Sequence, residues 1–357
     1  MSGISPICRR IDTEPAYGEP MASTGAFAYR WALSALASAL LLGCGTTAES
    51  ATPEPVSAPA PAEPAPARVD PAAVGANELG LVPVLMYHQV TPNPAGEYDQ
   101  TPEEFRAELE RLYREGYRPV TAAAYISGAI DIPAGTHPVV LTFDDSTVSQ
   151  LTLTGDGRPT PDSAVGILEE FGASHPDFRP TATFYVNNEP FGDDPRALAW
   201  LTEHGYDIGA HTASHANLSG LDAAGVQREL VQNLRAVAAA APGARVRTMA
   251  LPLGIFPADR RLAAAGEWDG APYTFEAVML VGAEPAPSPH GQVDPAGIPR
   301  IRSGRGAVPF DSAHWLDRLA KDPGLRYTSD GDPSRVSFPR SLTPELGAAW
   351  ADRAQPY

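Results

Sequence analysis

Two short strings hold the residue types that bind and activate: T-F-D-D at residues 142–145 and H-T-A-S-H at residues 211–215. The first follows an apolar run, residues 138–141, that reads as a buried strand. The second follows residues 206–210, another short strand candidate. Paired carboxylates at one strand end and two His spaced i, i+4 beyond another can converge on a divalent cation. One Asp with two His leaves coordination positions open for water and substrate, as a catalytic rather than a structural metal site requires. Either string alone is weak, because a solvated Asp pair and two unrelated His would look the same. Both, in this order and each after a strand, are specific.

The elements that must position these residues follow from the alternation of apolar runs and helical periodicity. Strands are predicted at residues 81–86, 139–143, 181–186, 206–210, 247–251, 276–281 and 297–302. Helices are predicted at 101–115, 163–171, 196–203, 221–241 and 311–321. Repeated βα alternation implies a parallel sheet. About seven strands with the chemical residues at their carboxyl ends favour a barrel over an open sheet. No internal repeat is visible. At 357 residues the chain can hold one large α/β domain with tails. A formal charge of −17 argues against nucleic acid or an anionic polymer as the main partner and is compatible with a neutral glycan. Cys8 and Cys44 both precede the domain, so disulfides and thiolate metal sites are excluded within it.

Further strings join the first two: V-L-M-Y-H at residues 84–88, P-T-A-T-F-Y-V at 180–186, the whole stretch G-Y-D-I-G-A-H-T-A-S-H-A-N-L-S from Gly205, and I-P-R-I at 298–301. Together, over roughly residues 81–330, they resemble the polysaccharide deacetylase family, metal-dependent carbohydrate esterases related to nodulation-factor and chitin deacetylases. The branch they look most like contains the poly-N-acetylglucosamine deacetylases. The resemblance implies a distorted (β/α) barrel of about seven strands and one divalent metal ion, Zn2+ by the chemistry of its donors, held by Asp145, His211 and His215. A cation there brings the pKa of water to about 7, with Asp144 as general base. The oxyanion donor implied is a backbone N–H in the L-P-L-G segment, at Leu253.

Two departures from the family pattern stand out. Ala250 occupies the position where the family usually has an Arg that pairs with the base. No apolar-x-His string, the usual source of the general acid, occurs near the domain's end. Arg300 or Arg302, on the last predicted strand, could hold Asp144 instead. His88, ending the first strand, is the candidate acid, with a structural role as its alternative. His290 stays open, His314 reads as structural, and His137, His175 and His204 fall on the wrong face for chemistry. Tyr87, Tyr185 and Phe191 fall where a glycan groove would lie, though each position is equally a core position.

The N-terminal region reads separately. Arg30 precedes an apolar run, residues 31–42, too short to span a membrane and suited to a signal-peptide core. It ends in L-L-G-C, a lipoprotein processing pattern that would leave Cys44 lipidated. Residues 46–71 are Ala, Pro, Glu and Ser with few large apolar side chains, a composition that cannot bury enough surface to fold. The expected organisation is a signal region at 1–44, a linker at 45–80, the deacetylase domain at 81–330 and a C-terminal tail at 331–357 packed on that domain or extending from it. The expected activity is removal of N-acetyl groups from an N-acetylglucosamine-containing polysaccharide by a monomer anchored to the cell envelope through lipid alone. An esterase for O-acetylated, xylan-type glycan and a catalytically silent glycan-binding lipoprotein are the alternatives. If Cys44 carries the anchor, a Cys44→Ala chain leaves the membrane fraction; a variant that still sediments with membranes contradicts the lipid attachment.

Overall fold

Polar caps and apolar runs set the order of elements in the computed structural model, which describes residues 69–304 and 308–357. Its first half runs β1 (Val84–Tyr87), α1 (Pro102–Arg114), β2 (Tyr117–Val120), α2 (Ala122–Ile126), β3 (His137–Phe143), α3 (Ala164–Ser174), β4 (Thr183–Val186), α4 (Ala197–Glu203) and β5 (Asp207–Ala210). Then come α5 (Ala223–Ala240), β6 (Thr248–Ala250), β7 (Ala265–Trp268), β8 (Ala271–Thr274), β9 (Ala277–Met279), β10 (Ile301–Arg302), α6 (Ser312–Lys321), β11 (Val336–Phe338) and β12 (Ala354–Pro356). Thr101 caps α1 and Glu104 reaches back to complete a capping box. Ser163, Asp222 and Asp311 accept the free N–H groups at the starts of α3, α5 and α6. Cys8, Cys44 and the signal region lie outside the described residues. Among the described residues no helix is long and apolar enough to cross a membrane.

Every residue of β1, β3 and β4 is buried, as a parallel sheet covered on both faces demands. The strands run parallel in the order β10, β1, β3, β4, β5, β6, β9, and β2 lies beside the first half of β3. Past β9, Met279 bridges Ile298, and Leu280 N–H donates to the Ile298 carbonyl at 2.8 Å. The same segment runs on into β10 and pairs with β1 at Leu85↔Ile301. The sheet therefore curls back on itself through one short final strand. The distorted seven-strand barrel expected from the sequence is the fold observed.

Side chains alternate between two environments along each strand. Leu85, Tyr87, Leu141, Phe143, Phe184 and Ile301 pack outward with α1, α3 and α4. Val84, Val140, Tyr185, Ala250, Met279 and Ile298 form a separate interior cluster. Extending the alternation by one or two residues puts His88, Asp144 and Arg300 on the interior side. On the far side of the sheet α5 covers Met249, Leu251 and Val278 with Val226, Leu230 and Val231.

Two parts of the fold depart from the sequence expectation, and the tail takes one of the two arrangements left open. Residues 76–80, assigned to the linker, are built into the domain: Asn77 bridges Thr328, and the buried Glu78 accepts from the Asp330 and Ser337 N–H groups. One buried carboxylate ties the chain's entry to the tail, a tertiary cause that leaves no local periodicity. Of the two arrangements expected for the tail at 331–357, it packs on the domain, with β11 beside β12 and Tyr357 OH donating to the Ala76 carbonyl. β2, with Arg118 and Pro119, and the hairpin β7–β8 escaped the pattern, since Pro within a strand masks it.

His137, at the start of β3, sits buried with Nδ1 at 2.8 Å from the Tyr327 carbonyl. Burial, aided by the nearby Arg326 charge, pulls it down from its ordinary value to about 4. The unfolded chain takes up this proton near pH 6.5 and the folded chain only near 4, so the contribution is complete above pH 6.5 and is lost as pH falls towards 4. A shift of this size corresponds to about 3 kcal/mol. The urea midpoint of His137→Gln relative to wild type should therefore stay level above about pH 6.5 and improve from there down to pH 4.5; a constant offset across the whole range would contradict a neutral buried imidazole.

Candidate active site

Asp144 is the first residue beyond β3, still on the interior side, where Arg300 meets it. Arg300 Nη1 and Nη2 donate to Asp144 Oδ1 and Oδ2, both at 2.7 Å, a bidentate fork. Neither residue is exposed. The rest of the guanidinium is also satisfied: Nε donates to the Leu280 carbonyl at 2.7 Å, Nη1 also reaches Thr142 Oγ1 at 3.1 Å, and the plane lies 5.5 Å over the Tyr185 ring. Burial alone would raise the Asp144 carboxyl, but Arg300, helped by His211, holds it well below the usual carboxylate range. Of the two arginines considered from sequence, Arg300 makes this pair, whereas Arg302 turns to Glu97. Ala250 packs in the interior cluster that also contains Tyr185, so the guanidinium facing the carboxylate comes from the last strand.

Asp145, the next residue, turns away through a left-handed backbone at φ 73°. Its Oδ1 lies 3.4 Å from His211 Nε2 and 3.4 Å from His215 Nε2. One ligand atom from each of the three falls within 4.8 Å of the others. His211 is fixed by its other nitrogen, with Nδ1 donating to the Ala250 carbonyl at 2.8 Å, which leaves Nε2 as the free lone pair. Burial and the neighbouring His211 lower His215, which favours the neutral imidazole that ligates. Asp145 Oδ1 is buried and has no hydrogen-bond partner. Such an atom is costly unless something else satisfies it, and two imidazoles with one carboxylate suit a borderline divalent cation. The residues present fit a metal.

The backbone around these groups is strained. Asp145, Ser146 (φ 47°), Thr212 (φ 64°), His215 (φ 54°) and Leu253 (φ 59°) all adopt the left-handed region without being glycine. Each costs on the order of 1–3 kcal/mol, and such positions cluster at functional sites. Leu253 follows β6 in a tight turn, its side chain outward, and its N–H finds no backbone acceptor among the described residues.

His88 comes directly after β1, half-buried, its ring 4.8 Å from Tyr98. Its Nδ1 is buried without a partner, and it follows β1 beside the residue that follows β3, which places it at the same end of the sheet as Asp144. Gln150, fully buried, donates to the His88 carbonyl at 2.6 Å and the Asp144 carbonyl at 2.5 Å, stitching the two strand ends together. His290 is elsewhere, held between the carbonyls of Glu78 and Gly128 against Trp350. His314 packs on Phe310 along α6. Tyr87, Tyr185 and Phe191 are core, at most 3 % exposed, and none faces solvent as a sugar platform. Sequence reading missed Gln150, Asn187, Glu229 and Asn233. Two of these carried a signal: Glu229 and Asn233 are polar residues four apart on the apolar face of α5.

Residues 131–267 match the sequence pattern of the family described as Polysaccharide deacetylase. A chitooligosaccharide deacetylase from Bradyrhizobium sp. (strain ANU 289) is 30% identical over 126 residues, 35% of this chain and 50% of the relative. One from Rhizobium leguminosarum bv. phaseoli is 32% identical over 132 residues, 37% and 51% of the two chains. This chain spans about half the length of the curated relatives it matches. The crystal structure of a polysaccharide deacetylase from Bacillus cereus superposes with a TM-score of 0.51 at 17% identity, covering 67% of this chain and 69% of that one. A Streptococcus pyogenes deacetylase in complex with acetate gives 0.50 at 17% identity, covering 66% and 97%. At such identities these two structures establish the fold.

If Asp145, His211 and His215 share one cation, His211→Ala loses it. Elemental analysis of purified wild type and variant reads this directly, and equal metal content in the two proteins would rule the ligand set out.

Proposed function

With a domain of the polysaccharide deacetylase family at residues 131–267 as premise, we propose that the chain is a metal-dependent hydrolase that removes N-acetyl groups from an N-acetylglucosamine-containing polysaccharide. The observation that carries this reading is the ionised Asp144 held by Arg300 immediately beside the Asp145, His211 and His215 set. A silent glycan binder has no use for a spare buried carboxylate there. A divalent cation, Zn2+ by donor type, would supply Lewis acidity and acidify water at this site. Asp144 is the proton acceptor this chain offers. Arg300 keeps it ionised and also makes it a weak base, so the proton it takes must come from an acidified donor. The Leu253 N–H is free to stabilise an oxyanion, and a backbone donor works whatever side chain it carries. His88, with its buried unpartnered nitrogen, is the group at the mouth suited to protonate a leaving amine.

The substrate reading is supported by the rim. Val148, Leu253, Ile255, Val281 and Phe310 stand exposed on loops that follow the strand ends, where the apolar faces of neutral sugar rings can rest. The acidic surface disfavours a polyanionic glycan. A lipid anchor at Cys44 and an extended tether would set such a domain in the cell envelope, acting as a monomer on a polymer too large to cross it.

Acetate release tests the roles. Asp144→Asn keeps the metal and loses activity by about 10²- to 10⁴-fold, the usual contribution of a general base; a loss of only a few-fold with the metal intact refutes the role. Because this substitution leaves Arg300 buried without a charged partner, its fold is checked by thermal unfolding. His88→Gln slows cleavage of the acetamide while sparing an activated acetyl ester, whose leaving group needs no proton. Equal slowing on both substrates assigns His88 to orientation instead.

A further inference from the structure

Glu229 and Asn233 lie one turn apart on the face that α5 presents to the sheet, among Val226, Leu230 and Val237. Asn233 is fully buried and Glu229 nearly so. Polar groups in such a place cost stability unless they are bonded, and their side-chain bonds go to the loop at residues 211–215 and the strand ends that frame it. Glu229 Oε2 accepts from the Ser214 N–H at 2.9 Å and from the Ser214 hydroxyl at 3.0 Å. The Glu229 carbonyl accepts from the Ala213 N–H at 3.1 Å. Asn233 Oδ1 accepts from the His211 N–H at 3.3 Å, while its amide donates to the Val186 carbonyl at 2.9 Å and to Asn188 Oδ1 at 3.3 Å. From the other side Asn187 Nδ2 donates to the His211 carbonyl at 2.7 Å and the Thr212 carbonyl at 3.1 Å.

The His211 N–H, which donates to the Val186 carbonyl at 3.1 Å, is shared with Asn233, while its carbonyl is held by Asn187 and its ring by Ala250. Thr212 and His215, the two left-handed residues of the loop, lie on either side of the Ser214 bonds to Glu229. A loop carrying two such residues relaxes when the bonds holding it are removed. We propose that Glu229, Asn233 and Asn187 are positioning residues that hold residues 211–215 in the ligating conformation, so that they set the affinity for a divalent cation. The inference rests on the metal reading of Asp145, His211 and His215. It adds three residues outside the ligand set, two of them on the buried face of α5.

The test is Zn2+ binding to the metal-stripped full chain, read by competition with a chromogenic chelator and independent of any glycan. Glu229→Leu and Asn187→Ala should weaken binding about 10- to 100-fold, the usual effect of removing an outer-shell partner. Glu229→Gln, whose Oε1 can keep both Ser214 bonds, should bind nearly as wild type does. Val237→Ala, a packing change on the same helix, should lower the unfolding temperature and leave the affinity alone. Glu229→Leu and Asn187→Ala proteins that bind as tightly as wild type would overturn the inference, as would a Val237→Ala protein weakened equally. Should Glu229→Leu fail to fold, the half-buried Asn187→Ala carries the same expectation and the same overturning result. A wild-type chain that takes up no Zn2+ overturns the metal reading itself, and this inference with it.

Discussion

The buried fork between Arg300 and Asp144 is the constraint on which the rest of the structure depends. Two charges without exposure are tolerable only when each is paired and hydrogen-bonded. Here the guanidinium finds the carboxylate, Thr142 Oγ1 and the Leu280 carbonyl at once. Breaking such a pair by removing one partner costs about 3–5 kcal/mol. To make it, the last strand must lie beside β1 and bring its interior side chain across to the end of β3. The two-residue β10, bridged to β9 through Ile298, does this, so closure of the barrel and ionisation of Asp144 are one structural event.

Around that fixed charge the chain stores strain. Asp145 and His215 are both left-handed, and so are Ser146, Thr212 and Leu253 in the same three loops. Five such residues represent several kcal/mol of local cost, offset by a frame of side-chain amides. Gln150 joins the ends of β1 and β3, Asn233 joins those of β4 and β5, and Asn187 holds the turn beyond β5. Amide side chains suit the task because one NH2 can donate to two carbonyls, as in Gln150 and Asn187, while Asn233 donates and accepts across the bond between Val186 and His211. Asp144 and Asp145 thereby diverge within a single peptide step, one toward Arg300 and the other toward two imidazoles.

Much of this was legible in the residues. The cluster of Asp145, His211 and His215 could be read because its spacing is local, i and i+4 after one strand and a tandem pair after another. The sequence left Arg300 and Arg302 both open as the partner of Asp144, and the structure pairs Arg300 with it and Arg302 with Glu97. What escaped reading depends on tertiary contact. Glu78 binds the entry of the chain to Asp330 and Ser337, some 250 residues away, and no local pattern announces it. β2 was hidden by Arg118 and Pro119. The roles of Tyr87, Tyr185 and Phe191 were open in sequence because an aromatic at a strand end serves equally as core or as platform; burial settles all three as core. The positioning amides were visible only as polar interruptions of apolar faces, which acquire meaning once the strand ends they touch are known.

The proposed function requires that Asp144 and the Asp145, His211 and His215 cluster act together on an acetylated glycan. Acetate release from an N-acetylglucosamine polymer by the purified chain, before chelation, after it and after Zn2+ is restored, tests that most directly. The predicted result is steady acetate release that the chelator abolishes and Zn2+ recovers. Release that persists undiminished through chelation, or no release from the N-acetylated polymer while an O-acetylated glycan is cleaved, would contradict it.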